Sequence, residues 1–280
     1  MAPLPEPLRR VEAVAYRHGG AALAGRTIPE EIPVAFTYDR ATYAVMMASP
    51  VDLGDFASGF TLSEGIVERV EDITSLEIVS VEQGIECRMS LVNAAQERVA
   101  ARRRRIAGPV GCGLCGIESL TEAARPIPRV GEGVVVTPNQ IMQAMREMPR
   151  LQALNRESHG VHAAAFFDPR AGHILLREDV GRHNALDKLI GAVVREGMSG
   201  PEGVVLLTSR VSIELIQKTA MLGASILVAV SVPTAHALRM AEAAGITLAA
   251  IARDDGFEVF THQARIAPKA DFPEAKLHVA

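Results

Sequence analysis

Between His162 and Thr261, short apolar runs and amphipathic segments alternate almost without a break, and few folds accept that rhythm. Strands are expected at 162–167, 173–177, 204–208, 226–230 and 246–252, with an edge strand at 257–261. Helices are expected at 184–195, 212–222 and 234–244. The first helix buries Ala185, Leu186, Leu189, Ile190, Val193 and Val194. The later strands are continuous apolar runs, as in a mostly parallel sheet covered by helices on both faces. The expected fold class is α/β, α+β overall, with a three-layer α/β domain at the C-terminal end.

The preceding half has a different texture. Residues up to Ile28 carry Pro, Gly and scattered charge, and suggest a loosely attached arm with one strand at 11–16. Runs at 33–38 and 42–48 flank Asp39-Arg40, turn chemistry for a hairpin. Ser49-Pro50-Val51-Asp52 is a helix-opening signal, with Ser49 as cap and Pro50 at the first helical position. Leu53, Phe56, Ala57, Phe60 and Thr61 share one face, and Gly65 ends the helix. A second hairpin spans 75–92 with its turn at Glu82-Gln83-Gly84, and Cys87 in its second strand is expected to be a small buried hydrophobe. Asn93 caps a helix over 94–105 that ends in four arginines, Arg102 to Arg105. These form a solvated face, depress the pKa of a nearby thiol, or dock an anionic ligand or acidic partner. Helical character is expected over 117–125, and Pro126, Pro128, Gly131 and Gly133 mark a linker. Thr137-Pro138-Asn139-Gln140 is a capping box, opening a helix whose stripe of Ile141, Met142, Met145 and Met148 belongs to the core. The expected organisation is a small α+β domain over 1–107, a loop and linker over 108–133, and an α/β domain over 134–280.

Composition removes several classes of function. Aromatic residues make up 4% of the 280 and Trp is absent, which disfavours stacking platforms for single-stranded nucleic acid. A net charge of −4 supplies no global basic field for nucleic acid. Residues 1–17 lack the apolar run of a signal peptide, and the apolar stretch over 220–232 is too short to span a bilayer. Three cysteines make no secreted disulfide framework and suit a reducing compartment, so a cytoplasmic protein is expected, with no partner in nucleic acid or membrane.

Two of those cysteines lie in Gly108-Pro109-Val110-Gly111-Cys112-Gly113-Leu114-Cys115-Gly116-Ile117, where glycine flanks each thiol and leaves it approachable. Three chemistries use such a pair. A dithiol oxidoreductase wants the first thiol at a helix N-terminus behind a strand, and this pair follows a glycine-proline loop. A structural zinc site needs four ligands, and only Cys87 remains, with no spaced His pair, unless a dimer completes the set. The third chemistry is a thiolate that attacks or carries a group such as persulfide sulfur.

In an α/β sheet, ligands sit where strands hand over to helices. Those handovers are Glu178-Asp179-Val180-Gly181-Arg182-His183-Asn184, Thr208-Ser209-Arg210, Ser231-Val232-Pro233-Thr234 and Arg253-Asp254-Asp255-Gly256. All are polar and three carry arginine, so with the helix N-termini the edge suits a phosphorylated ligand, and Gly181 lets a phosphate approach the backbone. The plain alternatives are that Asp179, Ser209 and Ser231 cap helices, that His183 pairs with Asp187, and that Lys188 and Lys218 face solvent. Neither a Walker loop nor a dinucleotide fingerprint is present, and no His-x-Glu precedes a Pro-Cys-x-x-Cys as zinc deaminases require.

Five motifs together resemble the FdhD family of formate dehydrogenase accessory sulfurtransferases. They are Ala44-Val45-Met46-Met47-Ala48-Ser49-Pro50; Gly59-Phe60-Thr61-Leu62-Ser63-Glu64-Gly65; Gly111-Cys112-Gly113-Leu114-Cys115-Gly116; residues 177–188, from Arg177 to Lys188; and Thr208-Ser209-Arg210 with Gln217-Lys218. The resemblance runs in family order from about Glu31 to Arg265. It implies a sulfur carrier that takes persulfide sulfur from a cysteine desulfurase and passes it to a molybdenum cofactor before insertion into formate dehydrogenase. It further implies a homodimer and a cytidine-deaminase-like second domain without its zinc and with no metal of its own. The bound substrate it implies is molybdenum bis(molybdopterin guanine dinucleotide). Cys112 matches the persulfide-bearing cysteine and Cys115 its partner; Ile251, Ala252, Arg253, Asp254, Asp255 and Gly256 match the cofactor-binding segment. That segment departs from the family's frequent aromatic, Cys and basic residue, since Arg253 is followed here by two acids. A different-class reading is a chaperone that delivers a finished molybdenum cofactor without transferring sulfur.

Overall fold

The computed structural model describes residues 3–96, 99, 127–267 and 278–279. Cys112, Cys115, the arginine run 102–105 and the segment 117–125 lie outside the described residues, as does most of the helix expected over 94–105; its described residues, 94–96 and 99, are helical, as is the expected cap Asn93.

The chain opens with a two-stranded ribbon, β1 (Leu8–Arg17) and β2 (Gly20–Pro29), antiparallel along its whole length and, among the described residues, joined to neither of the other sheets. The expected single strand at 11–16 is thus half of a hairpin. Its partner, rich in Gly and Ala, has little strand propensity of its own and is defined by the pairing.

Two further hairpins build the small unit: β3 (Ile32–Tyr38) with β4 (Ala41–Ala48), and β5 (Ile73–Val81) with β6 (Gly84–Leu91). Asp39 and Arg40 take φ of 46° and 70°, the two-residue turn whose twist matches a hairpin. The hairpins join through parallel β3 and β6 in the order β4-β3-β6-β5. Helix α1 (Leu53–Ser63) carries the chain from one edge to the other and covers one face. There Phe36 stacks on Phe60 at 4.1 Å between centroids and meets Phe56 edge-on at 4.9 Å; each such buried ring stabilises the fold by ~2–3 kcal/mol. Helix α1 starts later than the Ser49-Pro50 signal indicates. Asp52, at φ 52°, is its N-cap with no side-chain cap bond, because Ser49 is engaged by the large unit. It ends as expected, at Glu64 and Gly65.

The large unit begins with α2 (Pro138–Leu151) on the expected capping box: Gln140 N donates to Thr137 Oγ1 at 3.2 Å, and Thr137 N to Gln140 Oε1 at 2.9 Å. Ile141, Met145 and Met148 lie in the core, while Met142, expected with them, is half-buried and outside it. A short helix absent from the sequence reading, α3 (Ala153–Ser158), follows. Next come β7 (His162–Asp168), β8 (His173–Asp179), α4 (Arg182–Arg195), β9 (Val204–Leu207), α5 (Ile213–Leu222), β10 (Ile226–Ala229), α6 (Ala235–Ala244), β11 (Thr247–Arg253), β12 (Gly256–Val259) and β13 (His278–Val279). The sheet order is β12-β11-β10-β9-β7-β8-β13. Strands β9, β10 and β11 are parallel, but β7 is antiparallel to both its neighbours and β12 to β11. The sheet is therefore mixed and not mostly parallel, because 162–179 closes as a hairpin before the strand-helix units begin. Helices α4, α5 and α6 pack on one face and α2 on the other, giving three layers.

Helix α1 lies along α4 and ties the units together. A Cβ on Gly59 would stand 1.7 Å from the Asp187 carbonyl oxygen, and one on Gly191 2.0 Å from that of Asp55, so the two backbones meet where neither has a side chain.

Candidate functional site

The antiparallel placement of β7 brings its amino end to the edge where β8, β9, β10 and β11 finish, with His162 opposite Asp179. All four polar handovers therefore share one edge, as the sequence indicated. Their side chains divide into two groups.

One group faces inward and joins the units. Asp179 is fully buried: its carboxylate accepts from Lys188 Nζ at 2.6 Å, Ser49 N at 3.0 Å, Gly181 N at 2.8 Å and Asn184 Nδ2 at 2.9 Å. Lys188, also fully buried, donates to the Ser49 carbonyl at 2.9 Å. Asn184 donates to the Met47 carbonyl at 2.7 Å, so both contacts of its amide nitrogen are made within the protein. A Cβ on Gly181 would lie 2.8 Å from that nitrogen. One helical turn on, Lys218 Nζ donates to Asp187 at 2.8 Å, Ser63 Oγ at 2.9 Å and Glu64 at 3.3 Å. Burial works against the Lys218 ammonium, but Asp187 and Glu64 outweigh it and hold its pKa above the ordinary lysine value. The solvent-facing reading of both lysines is overturned, and Asp187 pairs with Lys218 instead of His183. Glu178 too is spent on structure, accepting from the Leu154 and Asn155 N–H groups at the start of α3 at 2.8 and 2.9 Å.

The other group faces the edge. His183 Nε2 lies 3.4 Å from Ser212 Oγ and 3.9 Å from Glu214 Oε2, where α4 and α5 begin side by side. Burial and the adjacent Arg182 push the His183 pKa down to about 4, against Glu214, so the imidazole is neutral at pH 7. Burial and Arg182 lower His162 in the same sense. Arg182 Nε is buried without a hydrogen-bond partner among the described residues. Arg210 and Arg253 are exposed at the ends of β9 and β11. Thr208 is less available: its hydroxyl closes the seam between β9 and β7 through Ala163 N at 2.9 Å and Ala163 O at 3.2 Å. Ser209 donates to the Arg210 carbonyl at 3.0 Å.

The segment 251–256 has unusual backbone. Ile251 sits at φ 55°, a left-handed conformation costly for a β-branched residue, and the register with β12 shifts between Ala250 and Arg253. Ala252 is buried, Asp254 and Asp255 are exposed at the turn, and Gly256 takes φ 145°.

Edge and fold together define a two-unit α/β protein with three arginines and paired helix N-termini at the carboxyl ends of its strands, the place where such sheets take ligands. The FdhD/NarQ family model matches residues 29–267, and the chain belongs to that family. A curated relative from Agrobacterium fabrum, named sulfur carrier protein FdhD, is 51% identical over 259 residues, covering 92% of this chain and 96% of the relative. Relatives of the same name from Brucella abortus and Cupriavidus necator are 51% and 45% identical, over 92% and 91% of this chain and 96% and 88% of the relatives. A crystal structure from Desulfotalea psychrophila, described as a formate dehydrogenase accessory protein, shares the fold with a TM-score of 0.74 at 24% identity, over 95% of this chain and all of that one.

Proposed function

We propose that this chain is a sulfur carrier for the maturation of formate dehydrogenase, working as a homodimer in the cytoplasm. Cys112 attacks the outer sulfur of a persulfide on a cysteine desulfurase; the donor's S–S bond breaks, its thiolate leaves, and Cys112 keeps the sulfur as a persulfide, with Cys115 assisting. No external oxidant is needed, since the sulfane sulfur moves as such. The acceptor is the bis(molybdopterin guanine dinucleotide) molybdenum cofactor, a bound substrate that is then inserted into formate dehydrogenase. Its phosphates pair with Arg182, Arg210 and Arg253 and with the first N–H groups of α4 and α5, while residues 251–256 border it. Asn184 and Gly181 act one step back, fixing the start of α4 through Asp179.

The observation that carries this reading is the 51% identity, across 92% of the chain, to relatives named as sulfur carriers. Incubation with a cysteine desulfurase and cysteine, followed by intact-mass measurement, tests it. The expected result is a gain of one sulfur that reductant reverses and that Cys112→Ala abolishes. No gain in either protein, with guanine-nucleotide binding retained in both, replaces sulfur transfer by cofactor delivery alone.

A further inference from the structure

The ribbon β1–β2 has no place in the chemistry above and, among the described residues, no sheet to join. Its ten-residue strands reach about 33 Å, and its principal neighbour outside itself is α3, near the base where Pro29 meets Gly160. Toward the free end, Val14 opposes Leu23 and Tyr16 opposes Ala21 on one face. Val14, Leu23 and Tyr16 are 54%, 79% and 82% exposed. An isolated two-stranded ribbon is marginal in water, and an apolar patch at its tip calls for a cover.

A second uncovered surface lies on the small unit. Helix α1 covers one face of its sheet, and the edge strand β4 sends Ala44, Met46 and Ala48 into that core. The residues between them, Val45 and Met47, are 48% and 46% exposed on the opposite face, where a solvated sheet would carry polar side chains.

From these two surfaces we infer that the ribbon of one copy lies on the outer face of the small sheet of a second copy, so that two chains exchange arms about a two-fold axis. The inference rests on the homodimer of the proposed function and adds its geometry. Charge favours a copy of this chain as occupant: the ribbon carries Arg9, Arg10, Arg17 and Arg26 against Glu12, and the middle of the receiving face presents Glu77 and Glu86 against Arg88. Area favours it too. One ribbon on one sheet face removes on the order of 600 Å² from water, short of the roughly 1,200 Å² where stable interfaces begin, and a reciprocal pair of contacts reaches it. The ribbon is rooted at Pro29, next to β3 of the sheet that receives the partner's arm, so each copy carries arm and receiving face close together, as a reciprocal exchange needs.

Sedimentation of the full chain over a concentration series tests this, comparing the unaltered protein with Tyr16→Glu, Leu23→Glu and Met47→Glu, each checked for unchanged circular dichroism. A dimer whose dissociation constant rises at least about tenfold in each variant supports arm exchange. A dimer unaffected by all three overturns it while leaving the homodimer intact, and an unaltered protein that stays monomeric overturns both.

Discussion

Replacing Lys188 with Met removes the ammonium while keeping most of the side-chain volume, and leaves the Asp179 carboxylate buried at the joint. That carboxylate retains the Ser49, Gly181 and Asn184 donors, but the Ser49 carbonyl loses its 2.9 Å donor. Breaking a buried ion pair from one side costs about 3–5 kcal/mol. At roughly 2 °C per kcal/mol for a chain of this size, Lys188→Met should lower Tm by about 8 °C. Urea unfolding monitored by tyrosine fluorescence and by far-ultraviolet circular dichroism measures the same loss independently. The double variant with Asp179→Asn should recover part of it, since the stranded charge is gone. A loss below about 1 kcal/mol in Lys188→Met, or strict additivity in the double variant, would refute the assignment of this pair to the joint.

Gly59→Ala and Gly191→Ala should each destabilise the protein by several times the ~1 kcal/mol typical of a point change, while Gly131→Ala, with open space around it, should stay within about 0.5 kcal/mol; thermal melts of the three decide it. His183 and His162 have lowered folded pKa values, so below pH 6.5 the unfolded chain binds more protons than the folded one, and stability should fall as pH drops from 6.5 toward 4; His183→Gln should flatten that slope in pH-dependent urea titrations. Burial raises the Cys87 thiol to about 12, so in a Cys112→Ser, Cys115→Ser background an alkylating reagent should label the chain only after denaturant is added, and rapid labelling of the folded protein would contradict that burial. Thr137→Ala should cost ~1 kcal/mol in the same melts through loss of the α2 cap.

Local chemistry made much of this legible in advance. Asp39-Arg40, the Thr137 box and the apolar stripe of α4 act within a few residues, and each was found where the sequence put it. Alignment of the four handovers on one edge also followed, because strand-helix alternation places strand ends together. Strand direction did not: an apolar run such as Val204–Leu207 has the same pattern in a parallel or an antiparallel sheet. Ser49 looked like a cap because its local context is that of a cap, and its bonds to Asp179 and Val180 depend on residues far along the chain. Lys188 and Lys218 looked exposed by residue type. The clue was their company: residues 184–193 around Lys188 are all buried, and Lys218 sits among buried Leu215, Ile216, Thr219 and Ala220, so each charge needs a buried partner.

The meeting of Gly59 with Gly191 also bears on inheritance. Two positions far apart in the gene share one constraint, so a side chain gained at either must be met by a change in the opposite helix, and drift at one is held by the other. A chimera taking its first half from one relative and its second from another would need its parents to match at this contact as well as at the buried charges of the joint.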